Sequence, residues 1–255
     1  MHYKFIDTTD PPQYERGLLT KYGATVLDEM EGVTTLSVKG RSNISRSFNT
    51  LSPNDGDRDY VISSRINTIR IDVLLKLEAR NDYAMRALGD RLSELFLGYP
   101  EKLQFSDDVY YYMAILEEIS YEETANQVLA TLHFRSEYPY KFREVQGQGS
   151  IFYWHTTLPV VPDEIICTAR VNAESFALTN KRSGQSIRLN RQISQGQIIE
   201  IRPAEYFGIT VDGQNAMADL VPSSEFERFE LSFMDELIAR PESLILIKAK
   251  IIKLG

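Results

Sequence analysis

The residue types that most often bind metals or act as nucleophiles are few and scattered in this sequence. Its 255 residues include three histidines, His2, His133 and His155, and one cysteine, Cys167. A zinc site needs several nitrogen or sulfur ligands at short spacing, and these four residues lie far apart. A single cysteine also forms no disulfide within the chain. The pattern predicts a protein without a metal centre and without a bound cofactor.

The carboxylates give no clearer catalytic site. Glu117 and Glu118 are adjacent, so on a strand their side chains point to opposite faces and do not share a substrate. It stays possible that two carboxylates distant in sequence form the catalytic pair of a glycosidase. Asp55-Gly56-Asp57-Arg58-Asp59 begins like a calcium loop, but Tyr60 stands where that loop has glycine and Ile66 where it has glutamate. Neither a phosphate-binding glycine loop nor a Gly-x-Ser-x-Gly elbow occurs, and nothing in the sequence indicates an enzyme.

Trp154 is the candidate sugar-stacking residue. It is the one tryptophan of the chain and lies between Tyr153 and His155. An indole ring beside other rings can stack on a sugar, but a single tryptophan near a domain junction more often packs in a core. Both interpretations stay open.

Composition limits the classes of partner. The formal charge is −8, with 43% hydrophobic and 25% charged residues, as in a folded soluble protein. Proteins that bind nucleic acid by neutralising phosphates need clustered Lys and Arg, and no such cluster is visible. No apolar run is long enough for a membrane span, and the N-terminus lacks the apolar core of a signal peptide. We therefore expect a chain that folds in a cytoplasm and has no membrane span.

Three neighbouring segments have clear periodicity. Apolar residues alternate with polar ones in Ile69–Ala79 and again in Val128–Tyr138, which predicts two half-buried strands. Between them, Asp82–Leu97 has one apolar face at helical spacing, with Asn81 or Asp82 as the N-terminal cap. A helix with one apolar face buries it most simply by lying across the sheet that the strands form.

The strand predicted at Val109–Ile119 is apolar on both faces. Such a strand is covered on both sides, either by two parts of one domain or by a core on one side and another subunit on the other. Under the second interpretation Tyr110, Tyr112 and Leu116 are the candidate subunit interface.

The stretch from Lys102 to Arg135 contains acidic residues and no lysine or arginine between its ends. Either it is a solvated hairpin, or it keeps a surface acidic so that DNA slides past without binding. The candidate channel-facing residues are Asp107, Asp108, Glu117, Glu118, Glu122 and Glu123.

The chain is predicted to contain two domains, residues 1–145 and 146–255. Residues 2–7 are predicted to form a first short strand. The segment Gln146-Gly147-Gln148-Gly149-Ser150 has the composition of a linker. After it, short alternating segments separated by turns predict a β-sandwich.

The order of these elements resembles the distal tail protein (Dit) family of long-tailed, siphovirus-type phages or prophages. The resemblance rests on the segments Leu103–Ala114, Tyr138-Pro139-Tyr140-Lys141-Phe142, Gly184–Leu189 and Gln195–Ile201. It covers most of the chain. One departure is that Ser136-Glu137 stands where the family usually has a cysteine before the Pro-Tyr element.

The resemblance implies a mainly β fold with one main helix. The N-terminal α+β domain would be a tail-tube-like β-sandwich packed by a helix, and the C-terminal domain a galectin-like β-sandwich. The implied assembly is a homo-hexameric ring in the virion, assembled in the host cytoplasm, through which DNA passes without specific binding. The implied partners are the tail tube protein, the tail-tip or tail-associated lysin protein, and receptor-binding or baseplate proteins. A carbohydrate-binding module that uses Trp154 is the alternative function.

Overall fold

The computed structural model describes residues 18–51, 60–124, 127–204 and 207–254, without the side chains of Glu123, Thr124 and Gln127. The described residues up to Lys141, together with Leu254, form one compact unit, and Phe142–Lys253 form a second. We call them the N-terminal and the C-terminal domain. The predicted strand at residues 2–7 and the calcium-like loop at 55–59 lie outside the described residues.

The described part of the N-terminal domain is mainly β, with one α-helix and a short 3-10 helix at Leu27–Glu29. Its elements are β1 Thr20–Tyr22, β2 Thr25–Val26, β3 Val33–Lys39, β4 Arg46–Leu51, β5 Tyr60–Ile66, β6 Arg70–Leu77, α1 Asp82–Leu95, β7 Glu101–Phe105, β8 Tyr111–Thr124, β9 Gln127–Ser136 and the beginning of β10 Tyr140–Gln148. Seven strands pair antiparallel in the order β3-β6-β9-β8-β7-β1-β2. β4 and β5 form a separate two-stranded sheet.

The two predicted half-buried strands are confirmed as β6 and β9, and they are neighbours. Their register pairs Val73 with Leu132 and Leu75 with Ala130, and all four residues are fully buried. Alternation with period two places these apolar side chains on one face of the sheet, and the polar residues between them on the other.

The predicted helix is confirmed as α1. The Asn81 side chain accepts a hydrogen bond from the Ala84 backbone N–H at 2.9 Å, and this caps the first turn. Leu88, Leu92 and Phe96 are buried against the strands. This burial stabilises the helix in spite of the cost of Gly89 in its interior.

Three aromatic rings join the helix to the sheet. The ring centroid of Tyr22 lies 5.0 Å from that of Phe96 and 5.4 Å from that of Phe134, and Phe96 and Phe134 are 5.6 Å apart. These separations, with edge-on or tilted rings, are favourable for aromatic pairs. The core of the N-terminal domain therefore lies between α1 and the sheet.

The C-terminal domain is a β-sandwich. It contains the rest of β10 and the strands β11 Ile151–Phe152, β12 Glu164–Ala169, β13 Phe176–Asn180, β14 Ser186–Leu189, β15 Ile198–Arg202, β16 Gly208–Val211, β17 Gln214–Asn215, β18 Asp235–Arg240 and β19 Ser243–Leu254. One sheet has the order β17-β16-β15-β12-β19-β10, and the other β11-β18-β13-β14. Cys167 on β12 is fully buried, and this burial raises the pKa of its thiol to about 12.

The predicted linker at 146–150 is wrong, because Gln146, Gly147 and Gln148 belong to β10. Gly147 is required there by close packing. A Cβ on Gly147 would lie 2.4 Å from Cη2 of the Trp154 ring, much closer than two such atoms can approach. The glycine that suggested flexibility in the sequence therefore makes room for an indole ring.

The mainly β architecture with one helix is confirmed. Within the described ranges, no helix has the length and apolar character that crossing a membrane would require.

Substituting Leu92→Asp should lower the free energy of unfolding of the N-terminal domain by more than about 3 kcal/mol. Truncation of a buried leucine alone costs about 2–5 kcal/mol, and the buried charge adds to that cost. Urea unfolding followed by circular dichroism measures the change. Arg86→Asp, at an exposed position of the same helix, is the control and should change the midpoint little; an unchanged midpoint for Leu92→Asp would contradict the packing.

Candidate assembly surfaces

The hairpin formed by β4 and β5, which we call the arm, is the most exposed part of the described N-terminal domain. Each of its paired residues is exposed except Ile66, which is half-buried. Five large apolar side chains on it are 57–61% exposed: Phe48, Leu51, Tyr60, Val61 and Ile62. An isolated two-stranded hairpin is marginally stable in water, and clustered exposed apolar residues mark interaction surfaces. The arm is therefore a candidate binding surface.

Asn67 holds the base of the arm together. Its Oδ1 accepts a hydrogen bond from the Ser47 hydroxyl at 2.7 Å, and its Nδ2 donates one to the Ser45 hydroxyl at 3.1 Å. Its backbone N–H also donates to the Ser45 carbonyl at 2.9 Å. Asn67, which follows β5, thus holds the segment that leads into β4. These hydrogen bonds tie the two strands of the arm together at its base.

A basic groove of about 640 Å³ lies beside the base of the arm. Its charged lining residues are Arg65, Arg70 and Arg135, and none of its lining residues in the described ranges is acidic. Arg70 and Arg135 are directly opposite each other on β6 and β9. We call this feature the arginine groove.

Three of the predicted channel-facing carboxylates are neutralised within the domain. Asp107 accepts hydrogen bonds from both terminal nitrogens of Arg41, at 2.5 and 2.8 Å, and this raises the pKa of the Arg41 guanidinium. Asp108 lies 2.7 Å from the Lys141 ammonium. Glu117 lies 2.6 Å from Arg135. These three side chains stabilise the fold instead of presenting free negative charge.

Glu118 and Glu122 are different, because both are exposed and neither has an ion-pair partner within the described residues. A β-bulge at Glu117 shifts the register, so that Glu118 lies opposite His133 and Glu122 opposite Leu129. They share the outer face of the sheet. The side chain of Glu123 lies outside the description.

Two of the three residues predicted as the subunit interface, Tyr112 and Leu116, pack inside their own domain. Tyr112 is fully buried within its own domain and donates a hydrogen bond to the Arg41 carbonyl at 2.7 Å. Burial, together with the charge of Asp108, raises the pKa of Tyr112 to about 12. Leu116 packs against the same core, and Tyr110 is half-buried with the Lys141 ammonium over its ring. These side chains are therefore occupied inside one chain.

Trp154 is half-buried under other rings and under β10. Its ring centroid is 4.5 Å from that of Tyr153 and 5.2 Å from that of Phe152. Tyr153 is 52% exposed, and His155 stacks on Phe233 at 3.7 Å. In this aromatic cluster Tyr153 presents its ring to solvent, and Trp154 supports it from within.

A hydrogen-bonded relay that the sequence reasoning missed crosses three neighbouring strands. The Ser120 hydroxyl lies 2.6 Å from Nε2 of His133, and Nδ1 of His133 lies 2.8 Å from Oδ1 of Asp72. These residues are 13 and 61 positions apart in sequence. Their position on the polar faces of β6, β8 and β9 was the available signal, but using it requires the register between the strands.

The three groups of the relay are arranged in the order of a Ser-His-Asp triad, in which histidine accepts the serine proton and aspartate orients the ring. Its surroundings differ from those of an acyl-transfer site. The relay lies on an open sheet face, with the side chains of His133 and Asp72 35% and 48% exposed and Ser120 exposed. Catalytic pockets are concave and exclude water, which strengthens the electrostatic stabilisation of a transition state. An open sheet face is not concave and does not exclude water.

Comparison with known proteins finds a family model that matches part of the C-terminal domain. Residues 157–236 match the family model of the siphovirus-type tail component, C-terminal domain (SPP1 Dit). A search of curated sequences found no significant match.

Solved structures extend the similarity beyond that domain. The crystal structure of the Dit protein (gp 19.1) of phage SPP1, described as a paradigm of the hub adsorption apparatus in phages that infect Gram-positive bacteria, is similar with a TM-score of 0.74 and 16% identity. The similarity covers 92% of this chain and 99% of that one. A chain of the phage P2 baseplate in its activated conformation with Ca is similar with a TM-score of 0.50 and 12% identity, over 92% and 98% of the two chains.

The fold is thus that of phage tail and baseplate components. The family-model match and the shared fold together confirm the resemblance to the Dit family of distal tail proteins. The chain carries a siphovirus-type tail component domain at residues 157–236.

Ser120 should not behave as a catalytic nucleophile. We expect a fluorophosphonate probe to label the wild-type protein no faster than Ser120→Ala, because an exposed relay without a pocket stabilises neither the probe nor the oxyanion. Gel fluorescence after labelling measures this, with a known serine hydrolase as the positive control. Stoichiometric labelling that is lost in both Ser120→Ala and His133→Ala would instead establish a reactive centre.

Proposed function

We propose that this chain forms a ring-shaped, homo-hexameric hub at the distal end of a phage tail tube. The observation that carries the proposal is the fold shared with the SPP1 Dit protein over 92% of the chain. The ring joins the tube protein on one side to the tail-tip or tail-associated lysin protein on the other. It also holds receptor-binding or baseplate proteins, and it lets DNA pass without specific binding.

The protein acts as a structural part of the virion, assembled in the host cytoplasm, and not as an enzyme. The similar proteins are tail and baseplate components. Within the described residues, no three His, Cys, Asp or Glu side chains lie close enough together to hold a metal ion. The open position of the Ser120 relay also favours a structural role for those residues.

The arm supports self-association as the basis of the ring. Covering the exposed apolar side chains of the arm with another surface is favourable by about 25 cal/mol per Å² of apolar area removed from water. A closed ring of identical copies covers every arm with the same contact, because each copy meets its neighbour in the same way. We therefore propose that the arm of one copy packs against the next copy.

The wild-type protein should have six times the 29.2 kDa chain mass in multi-angle light scattering. Phe48→Ser combined with Ile62→Ser should shift it towards single chains, because both substitutions remove apolar area from the arm. Leu97→Ser combined with Tyr99→Ser is the matched control, since these side chains are 80% and 90% exposed but lie outside the arm.

Two results would contradict the proposal. Wild-type protein that remains a single chain at every concentration would refute the hexamer. A hexamer that loses mass equally in both double variants would refute the role of the arm.

A second candidate function, glycan binding, is favoured by one observation. In the aromatic cluster, Tyr153 exposes its ring while the Trp154 ring contacts it, with the centroids 4.5 Å apart and the planes tilted by 32°. An exposed ring held rigidly by another ring can stack on a sugar. This proposal replaces Trp154 by Tyr153 as the contact residue, with Trp154 in a positioning role.

Glycan binding predicts saturable binding on a glycan panel that Tyr153→Ala weakens by about tenfold or more, as expected when an aromatic contact of about 1.4 kcal/mol is lost. Tyr99→Ala, which removes a tyrosine that is still more exposed from the N-terminal domain, should bind like the wild type. Biolayer interferometry measures the affinities. Absence of saturable binding, or equal weakening by both variants, would remove this second function.

A further inference from the structure

The arginine groove carries positive charge that the described residues do not neutralise. Glu117 forms an ion pair with Arg135, but Arg65 and Arg70 have no ion-pair partner among the residues that the structure describes. Arg70 also lies directly opposite Arg135 on the neighbouring strand, and like charges in that arrangement destabilise a sheet. Local violations of such a rule concentrate at functional sites. Three arginines less one paired carboxylate leave two uncompensated positive charges.

The rest of the described lining is neutral and contains further hydrogen-bonding groups. It consists of Asn43, Ser45, Ile66, Asn67 and Thr68. The Ser45 hydroxyl accepts a hydrogen bond from Asn67 at 3.1 Å, and its own proton has no acceptor within the described ranges. Each guanidinium presents several N–H donors in one plane, and the hydroxyl and amide groups add to them. A ligand for this groove must therefore supply negative charge and several acceptor oxygens.

We propose that the arginine groove binds a doubly charged phosphate group, either free phosphate or a phosphate monoester. A monoester carries about −1.5 to −2 charges at pH 7 and three strong acceptor oxygens, which matches the two uncompensated charges and the lining. A carboxylate carries one charge, and a single arginine can occupy both of its oxygens. The groove volume of about 640 Å³ is in the range of small-molecule sites, so a small organic group attached to the phosphate also fits.

The charges next to the groove favour a compact anion over a nucleic acid. His133 lies two residues along β9 from Arg135, which is about 7 Å at the usual rise of a strand. The register places His133 between Asp72 on β6 and Glu118 on β8. These two carboxylates repel the next phosphates of a polymer. The groove therefore fits one phosphate group better than a strand of DNA.

A bound phosphate would connect the arm to the seven-stranded sheet. Arg65 belongs to β5 of the arm, whereas Arg70 and Arg135 belong to β6 and β9. Hydrogen bonds between charged groups are about twice as strong as neutral ones, so a dianion shared by the three side chains holds the base of the arm against the sheet. All three arginines belong to one chain, and the site does not require a ring.

Isothermal titration calorimetry near neutral pH and at constant ionic strength tests the chemistry of the ligand. We expect saturable binding of glycerol phosphate at one site per chain, in competition with inorganic phosphate. Dimethyl phosphate, a diester with one charge, and acetate should each bind about tenfold more weakly or worse, because at least one charge-assisted hydrogen bond is lost. Tighter binding of glycerol phosphate than of inorganic phosphate would assign the groove to a phosphorylated molecule, and the reverse order to free phosphate.

Substitutions that remove positive charge locate the site. Arg65→Gln and Arg70→Gln should each weaken the binding of glycerol phosphate by about tenfold or more. Arg70→Gln should leave the urea midpoint unchanged or higher, because it removes one of two facing like charges. Arg86→Gln combined with Arg91→Gln, at exposed positions of α1, removes two positive charges elsewhere and should bind like the wild type.

One substitution should strengthen binding, which a damaged fold does not do. Glu117→Gln removes the carboxylate that is paired with Arg135, so that a third guanidinium becomes available to the phosphate. We expect the affinity for glycerol phosphate to rise severalfold. Glu94→Gln, at an exposed position of α1, changes the net charge equally and should leave the affinity unchanged.

Four results would overturn the proposal. Wild-type protein that binds neither phosphate nor glycerol phosphate saturably has no such site. Equal affinities for glycerol phosphate, dimethyl phosphate and acetate would refute the charge match. Binding that persists unchanged in both Arg65→Gln and Arg70→Gln would place the anion outside the groove. Duplex DNA that binds more tightly than glycerol phosphate, and loses that affinity in the same two variants, would assign the groove to nucleic acid.

Discussion

The antiparallel register of β6, β9 and β8 is the constraint on which the described N-terminal domain depends. It places Val73 and Leu132 together on the inner face, where the helix and three aromatic rings cover them. The same register determines the outer face, where it sets Arg70 against Arg135 at one end and leaves Glu122 near the other. A shift by one residue would exchange the two faces. The register that packs the core therefore also determines where the surface charges lie.

Periodicity in the sequence was sufficient wherever one face of an element is apolar. It located α1, a cap at Asn81 or Asp82, and the strands β6 and β9, and the structure shows Asn81 as the cap. It did not predict the burial of Tyr112 on β8, because a strand that is apolar on both faces carries no sign of which face meets the core of its own domain. It also failed at Gly147, where the reason for the glycine is the ring of Trp154 seven residues later. Contacts of this kind depend on tertiary structure.

The surface features were harder to predict than the core for a related reason. The arm has no buried face, so its strands lack the alternation that burial imposes, and the apolar run at Tyr60, Val61 and Ile62 appears only as composition. The relay through His133 and the arginine groove each join residues from strands that are distant in the chain. Residue types alone suggest neither arrangement, because each exists only once the strands are paired.

The single buried thiol has a practical consequence for work on assembly. Cys167 is enclosed between two paired strands, and its high pKa keeps it in the unreactive protonated form near neutral pH. The folded protein therefore contains no background site for maleimide dyes. A cysteine introduced at any surface position becomes the one reactive group, so that fluorophores or spin labels can report distances between neighbouring molecules without prior removal of the natural residue.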